Sequence, residues 1–251
     1  MSVTDVAAAS VDLAALRAAG VRVLDEPTGK EFLRGVGIDV PTGVLADSAE
    51  SAAAAVDRVG LPCVVKLVAR DLPHKSDVGG VAGPLNSVSE VEEAAARMLR
   101  SGPPSTQGVL VEPWVQASAE VFMGLTMNTS FGPVVVFGAG GIWVEELKDV
   151  AYHVAPVDEV EALAMINSRR STRSLAEGRH GSGAVALDQV AAVIERFSRL
   201  ALDPVVRDHV REIEVNPLLV RSDGAPVAVD CTVVLREPGS VSENHDNNPR
   251  N

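Results

Sequence analysis

Hydrophobic residues recur along the chain with two different spacings. A spacing of three to four residues, closed by capping residues and glycines, predicts helices over 3–19, 28–34, 47–59, 89–100, 158–167 and 187–201. Continuous or alternating apolar runs predict strands over 61–69, 108–113, 119–127 and 132–138, and a closing hairpin over 213–235. Two further segments are predicted loops: a glycine-containing stretch that extends to Gly83, and the basic segment 168–183.

The order of these elements predicts an α+β protein. Helices and strands alternate in the first half and strands dominate the second, which suggests two α+β lobes with a ligand cleft between them. The proline-containing stretch 103–106 is the predicted boundary. The predicted domains are an N-terminal helical extension over 1–24, a first lobe over 25–104, a second lobe over 105–236 and a disordered tail over 237–251.

Composition excludes several classes of partner. The chain has 34 acidic and 22 basic residues and a net charge of −12, which argues against binding to nucleic acid or to an anionic membrane surface. No apolar run approaches the roughly 18 residues of a membrane span. Cys63 and Cys231 lie in or beside apolar runs and are predicted to be buried thiols in a reducing compartment. Because the N-terminus also lacks a basic leader, we expect a cytoplasmic protein.

The closing hairpin carries three oxygen-bearing side chains close together. Glu214 and Asn216 are two residues apart on the first strand and therefore share a face, and Asp230 lies on the returning strand. Oxygen ligands without histidine or cysteine suit a hard cation such as Mg2+. The alternative interpretation is a pair of solvated strand ends with ordinary polar residues. The isolated aspartate after an apolar run favours the metal site.

Lys66 lies in the middle of the apolar run 61–69. A buried lysine is costly unless it meets an anion or a carboxylate, so an ammonium group directed at a nucleotide phosphate is one interpretation. The other is a lysine on an edge strand whose ammonium group reaches solvent. The segment after this strand contains Ser76, Asp77, Gly79 and Gly80, whose backbone N–H groups could face phosphates.

Three further residues could take part in nucleotide chemistry. Glu112 ends one predicted strand and Glu120 begins the next, where a carboxylate could accept ribose hydroxyls or simply be solvated. His74 lies between a proline and a lysine just before Ser76, and a neutral imidazole can act as a nucleophile toward a phosphoryl group. A histidine that only hydrogen-bonds phosphate or backbone fits the same spacing.

Several segments in the same order resemble the ATP-grasp superfamily, and more narrowly the beta subunit of ADP-forming acetate–CoA ligase. They are VVKLVARDLPHKSDVGGV over 64–81, FGPVVVFGAGGIWVEELKDVAYHVAP over 131–156, and IEVNPLLV with AVDCTVVL in the closing hairpin. The resemblance covers about residues 25–236. A wider similarity to the beta subunit of succinyl-CoA synthetase involves the same positions.

The resemblance implies a role for each candidate residue. Lys66 would contact ATP phosphate, and Pro73, His74 and Lys75 would form the loop over the nucleotide. Glu112, Val115 and Glu120 would line the adenine and ribose pocket, while Asn216 and Asp230 would hold Mg2+ with support from Glu214. His74 would carry the phosphoryl group. Lys30 matches a lysine near the start of the family pattern, without an assigned role.

The implied function is that of the ATP-binding subunit of an ADP-forming acyl-CoA ligase. It would interconvert acyl-CoA, ADP and phosphate with free acid, CoA and ATP, together with a CoA-binding alpha-type subunit in a hetero-oligomer. Segment 168–183 departs from the family pattern, although Glu177 and Gly178 persist. Two alternatives remain open: a stand-alone ATP-grasp carboxylate–amine ligase, and a nucleotide-sensing module without transfer chemistry.

Overall fold

The computed structural model describes residues 11–70, 78–140, 149–177, 185 and 187–237. Its helices are α1 (Leu13–Ala18), α2 (Glu26–Gly35), α3 (Ala49–Val59), α4 (Val88–Ser101), α5 (Glu159–Ser168), α6 (Arg170–Ala176), α7 (Asp188–Ser198) and α8 (Pro204–His209), with a 3-10 turn over Arg199–Leu202. Its strands are β1 (Val44–Ala46), β2 (Cys63–Ala69), β3 (Val81–Leu85), β4 (Thr106–Pro113), β5 (Ala119–Thr126), β6 (Val134–Ala139), β7 (Val150–Val154), β8 (Val210–Val220), β9 (Pro226–Ala228) and β10 (Cys231–Leu235).

The first sheet has the strand order β1-β4-β2-β3, with antiparallel neighbours. Alternate residues of β2, among them Val65 and Leu67, pack on one face of this sheet against α3 and α4 in a small core of their own. Ser48 caps α3 and Ser87 caps α4, each by accepting a hydrogen bond from a backbone N–H of the first turn. The opposite face of the sheet is therefore left for Val64 and Lys66.

The second sheet has the order β10-β8-β5-β6-β7, and β9 pairs with the end of β8 beyond β10. One face packs against α2, α5 and α7 in the larger core, where Phe32, Phe137 and Phe197 are fully buried. Helix α1 also contributes Leu13 to this core. The other face of β8 carries Glu214 and Asn216, because they alternate with the fully buried Ile213 and Val215.

The chain passes from the first sheet to the second between Pro113 and Ala119. The predicted division at residue 104 precedes β4, which pairs with β2 along seven residues of β2 in the first sheet. Helix α2, by contrast, packs with the larger core through Phe32 and Leu33, although it precedes the first sheet in sequence. Residues 11–38 and 119–235 thus share one core, and residues 46–111 form the other.

Two loop predictions are wrong. Part of the segment 168–183 forms helix α6, in which the buried Thr172 hydroxyl donates to the carbonyl of Ile166 and Asp149 accepts from the backbone N–H of Ser171. The predicted loop that extends to Gly83 contains strand β3, whose residues Val81 and Leu85 pair with β2. In both cases tertiary contacts, rather than hydrophobic periodicity, hold the element.

The closing hairpin is confirmed, with a turn from Arg221 to Ala225 between β8 and β9. Cys63 and Cys231 are buried and neither forms a disulfide in the described part of the chain, as predicted, and burial raises the pKa of the Cys63 thiol. The predicted tail over 238–251 and the start of the predicted first helix, residues 1–10, lie outside the described residues. Within the described part, no helix combines the length and the apolar character that crossing a bilayer requires.

Candidate active site

The hairpin brings the predicted metal ligands together. Pairing of β8 changes from β10 to β9 opposite Asn216, and here the backbone N–H of Asn216 donates to the carbonyl of Asp230 at 3.3 Å. Val229 donates in turn to the carbonyl of Pro217 at 3.3 Å. Asn216 and Pro217 of β8 are therefore held beside Val229 and Asp230, which connect β9 to β10.

The side chains at this point offer oxygen donors. The Asn216 amide nitrogen donates to Glu214 Oε1 across a long 3.5 Å contact, so the amide oxygen is the atom of Asn216 that could coordinate a cation. Asp230 Oδ1 accepts from the backbone N–H of Cys231 at 2.9 Å, which fixes the carboxylate. A set of two carboxylates and one amide oxygen fits Mg2+, which commonly takes its other ligands from water and phosphate.

Lys66 extends from the first sheet to this hairpin. Its ammonium group donates to the carbonyl of Val229, the residue before Asp230. It also lies 2.8 Å from Glu26 Oε1 and 3.0 Å from Glu112 Oε2. The predicted phosphate-binding lysine and the predicted metal ligands, which are more than 140 positions apart in the sequence, thus meet between the two sheets.

Lys66 belongs to a cluster of four buried charges, formed by Glu26, Lys30, Lys66 and Glu112. Lys30 Nζ lies 2.6 Å from Glu26 Oε1 and 2.6 Å from both carboxylate oxygens of Glu112. An ammonium group on Lys30 has three N–H donors, one for each of these three carboxylate oxygens. The four-charge cluster is neutral as a whole, as a buried ionic group must nearly be.

The two lysines of the cluster differ in their titration. Burial lowers the pKa of Lys30, and repulsion by Lys66 adds to this effect against the attraction of the carboxylates. Burial also acts to lower the pKa of Lys66. There the attraction of Glu26, Glu112 and Asp230 outweighs it and raises the pKa above its ordinary value. Lys66 therefore stays cationic, as a phosphate ligand must.

The Glu112 side chain packs over Gly43, just before β1. A Cβ atom at position 43 would lie 2.7 Å from Glu112 Cγ, 2.8 Å from Leu110 Cδ1 and 3.1 Å from the carbonyl oxygen of Val111. One of these contacts is with backbone, which cannot move aside cheaply. Glycine is therefore required here to make room for the buried carboxylate.

Gly43→Ala is accordingly expected to lower the free energy of unfolding by about 1–3 kcal/mol through overpacking. Urea unfolding followed by circular dichroism measures the change. The neighbouring Thr42 is exposed, and Thr42→Ala as the matched control should stay within about 0.5 kcal/mol of wild type. Equal stability of the Gly43 variant and wild type would show that the Glu112 side chain is not held against this backbone.

The other predicted nucleotide contacts occupy the connection between the sheets. Val115 is half-buried and lines a cavity of about 660 Å³, together with Trp114, Pro41 and Arg221. Glu120 is exposed at the start of β5. The residues that line this cavity do not include Lys66 or Asp230, so the cavity is separate from the point where the charges converge.

Pro73, His74 and Lys75 lie outside the described residues. The cluster, in contrast, contains two residues for which the sequence predicted no role, Glu26 and Lys30. Their spacing of four residues on one helix, with the carboxylate first, is that of a helical ion pair. Nothing in that spacing distinguishes a buried pair from the common solvated one.

The profile of the ATP-grasp domain family matches residues 15–235 of the chain. The chain belongs to the ATP-grasp family. The match includes α2, both sheets and the closing hairpin, and therefore every element that contributes to the four-charge cluster and the adjacent oxygen ligands.

Curated relatives place the chain in one branch of the ATP-grasp family. It is 36% identical over 219 residues to the acetate–CoA ligase [ADP-forming] I subunit beta of Pyrococcus furiosus, covering 85% of this chain and 92% of that subunit. It is 33% identical over 204 residues to the 4-hydroxybutyrate–CoA ligase [ADP-forming] of Nitrosopumilus maritimus, but spans only 29% of that longer chain. The ATP-grasp portion is thus a separate subunit in the first relative and one part of a longer chain in the second.

The chain also superposes on solved structures of an acetyl-coenzyme A synthetase. The dinucleotide-forming acetyl-coenzyme A synthetase 1 of Ca. Korarchaeum cryptofilum, in complex with coenzyme A, Ca-AMPCP and HgCl+, superposes with a TM-score of 0.82 at 32% identity, covering 89% of this chain and 98% of that one. A complex of the same enzyme with coenzyme A and Mg-AMPPCP has a TM-score of 0.77 at 29% identity, with 94% and 100% covered. Its phosphohistidine segment points towards the nucleotide-binding site.

These matches confirm the predicted α+β ATP-grasp fold and the predicted resemblance to the beta subunit of ADP-forming acetate–CoA ligase. The prediction that the chain is a ligase of the ADP-forming acyl-CoA type is also confirmed. Nucleotide and Mg2+ binding are supported at the level of the family. The roles of individual residues stay predictions.

Proposed function

We propose that this chain is the nucleotide-binding subunit of an ADP-forming acyl-CoA ligase and that Mg-nucleotide binds between its two sheets. The observation that carries the proposal is the approach of Lys66 to the hairpin. The lysine of β2 donates to the carbonyl of Val229, directly beside Asp230 and Asn216. A cation from one sheet and oxygen ligands from the other would then contact the same polyphosphate.

In this site the protein would act mainly by positioning and by neutralising charge. Lys66 would bind phosphate oxygens, and Asn216 and Asp230 would hold Mg2+ with Glu214 in support. The ion, when bound, would offset part of the negative charge on the phosphates. Val115 and the backbone after Glu112 would line the adenine pocket, and Glu120 would accept a hydrogen bond from a ribose hydroxyl. Closure of the cleft would exclude water, which strengthens each of these interactions.

The phosphoryl group would be carried by His74. Its imidazole nitrogen would attack the γ-phosphorus of ATP, forming a P–N bond as the P–O bond to ADP breaks. On the acyl-handling partner, a carboxylate oxygen of the acid would then attack the phosphohistidine, so that the P–N bond breaks and an acyl phosphate forms. The CoA thiol would displace phosphate from the acyl phosphate to give acyl-CoA. Pro73 and Lys75 would hold this segment over the nucleotide. The relative with a phosphohistidine segment that points towards its nucleotide site supports the assignment.

The chain would need a partner to complete the reaction. It spans 92% of a beta subunit but only 29% of a longer ligase, so most of that ligase lies outside the match. A CoA-binding alpha-type subunit in a hetero-oligomer would supply the acyl and CoA sites.

Reconstitution tests this function. We expect the chain mixed with a CoA-binding alpha-type subunit to form ATP from acetyl-CoA or another acyl-CoA, ADP and phosphate, with one CoA released for each ATP. Coupled assays for ATP and for free thiol measure both products. Each subunit alone should give background rates only. ATP consumption by the chain alone with a carboxylic acid and an amine, independent of CoA, would contradict the proposal and support the carboxylate–amine ligase.

A further inference from the structure

Two of the four buried charges, Glu26 and Lys30, come from α2 and so from the larger core, whereas Lys66 and Glu112 come from the first sheet. The cluster therefore connects the elements of the two cores. The side chains of its members are between 1% and 7% exposed, which excludes solvent as the source of charge compensation.

The charges of the cluster balance. Two carboxylates and two ammonium groups sum to zero. Glu26 Oε1 accepts from both lysines, and the Glu112 carboxylate contacts both as well. Without Lys30 the two carboxylates would face Lys66 alone and the buried group would carry a charge of −1. That charge would lie beside Val229, next to the hairpin position at which the proposed site would bind the phosphates.

We propose that Lys30, paired with Glu26, is a positioning residue that neutralises the carboxylates around Lys66 and so leaves the Lys66 ammonium able to bind an anionic polyphosphate. The inference rests on the proposed nucleotide site. Lys30 contacts the carboxylates and not the nucleotide: its three N–H donors are used by Glu26 and Glu112. Its effect on nucleotide affinity is exerted through Lys66.

The proposal makes nucleotide affinity follow the net charge of the cluster rather than the number of its hydrogen bonds. Lys30→Met gives a charge of −1 and is expected to weaken Mg-ADP binding by about 10- to 100-fold. Lys30→Met combined with Glu26→Gln returns the charge to zero and should restore the dissociation constant to within about threefold of wild type. Glu26→Gln alone gives +1 and should tighten binding by about threefold.

Isothermal titration calorimetry of Mg-ADP against the four proteins gives the dissociation constants, and urea unfolding of the same samples gives their stabilities. A purely structural role of Lys30 predicts no recovery of affinity in the double variant. The double variant, which has lost the most buried interactions, would then be the least stable and would bind no better than Lys30→Met. That result, or weaker binding by Glu26→Gln than by wild type, overturns the proposal.

Three further outcomes are also decisive. If Lys30→Met does not fold, Glu26→Gln and the double variant still carry the comparison, because their charges of +1 and 0 predict tighter and restored binding. If wild type itself does not bind Mg-ADP, the proposed nucleotide site fails and this inference fails with it. If wild type binds and all variants bind equally, only the role of Lys30 is refuted.

Discussion

Asp230→Ala is expected to lower phosphoryl transfer from Mg-ATP by at least about 100-fold in the reconstituted enzyme, while the chain stays folded. The carboxylate is one of the charged groups that meet at the hairpin, and it attracts the Lys66 ammonium as well as offering oxygen ligands. Its loss would remove a predicted metal ligand and part of the attraction that acts on the lysine. The rate of ADP formation from ATP in the presence of the acid and CoA, at saturating Mg2+, measures the effect.

The fold should survive this substitution. In the structure Asp230 Oδ1 accepts a hydrogen bond from the backbone N–H of Cys231, and the loss of one such bond costs about 1 kcal/mol. Asp57 lies exposed on α3, and Asp57→Ala, as a matched control, should keep wild-type activity. If a folded Asp230→Ala protein transferred the phosphoryl group at the wild-type rate, the assignment of a metal site to the closing hairpin would be wrong.

His74→Asn is expected to abolish covalent phosphorylation of the chain. Incubation of wild type with radiolabelled Mg-ATP should give an acid-labile, base-stable label on His74, because a phosphoramidate P–N bond hydrolyses in acid. Asparagine keeps a polar side chain of similar size but has no ring nitrogen able to attack phosphorus. Digestion and mass spectrometry at neutral or basic pH locate the modified residue.

The control for this experiment is His153→Asn. His153 lies on β7, with its Nε2 atom 3.7 Å from Glu161 Oε1. It should not be labelled in wild type, so His153→Asn should be labelled like wild type. The label should also disappear from wild type when ADP is added in excess, since the transfer is reversible. Label on another residue in wild type, or full labelling of His74→Asn, would assign the carrier role elsewhere.

The regular elements were largely predictable because each depends on near neighbours in the chain. Periodicity and caps predict α3 and α4, and the structure places them over Ala49–Val59 and Val88–Ser101. The 170–176 segment was not predictable in this way. Its helix is stabilised by Asp149 and by a buried threonine contact with the preceding helix, neither of which a local pattern contains.

The candidate site also contains some residues that local sequence patterns predict and others that they do not. Alternation along a strand places Glu214 and Asn216 on one face, and the hairpin turn brings Asp230 opposite them, so these three residues follow from local geometry. The partners of Lys66 do not. Its contacts with Glu26, Glu112 and Val229 join positions 40, 46 and 163 residues away.

The amino-acid order alone therefore determined the α+β class, most helices and strands, and the hairpin with its three neighbouring oxygen-bearing side chains, because short-range sterics and periodicity decide them. Only the tertiary structure decided that Lys66 and a second lysine share two buried carboxylates, and that α2 packs in the same core as the second sheet. The physical reason is burial: a charge hidden from water must find its counter-charge in space, wherever the chain happens to supply it.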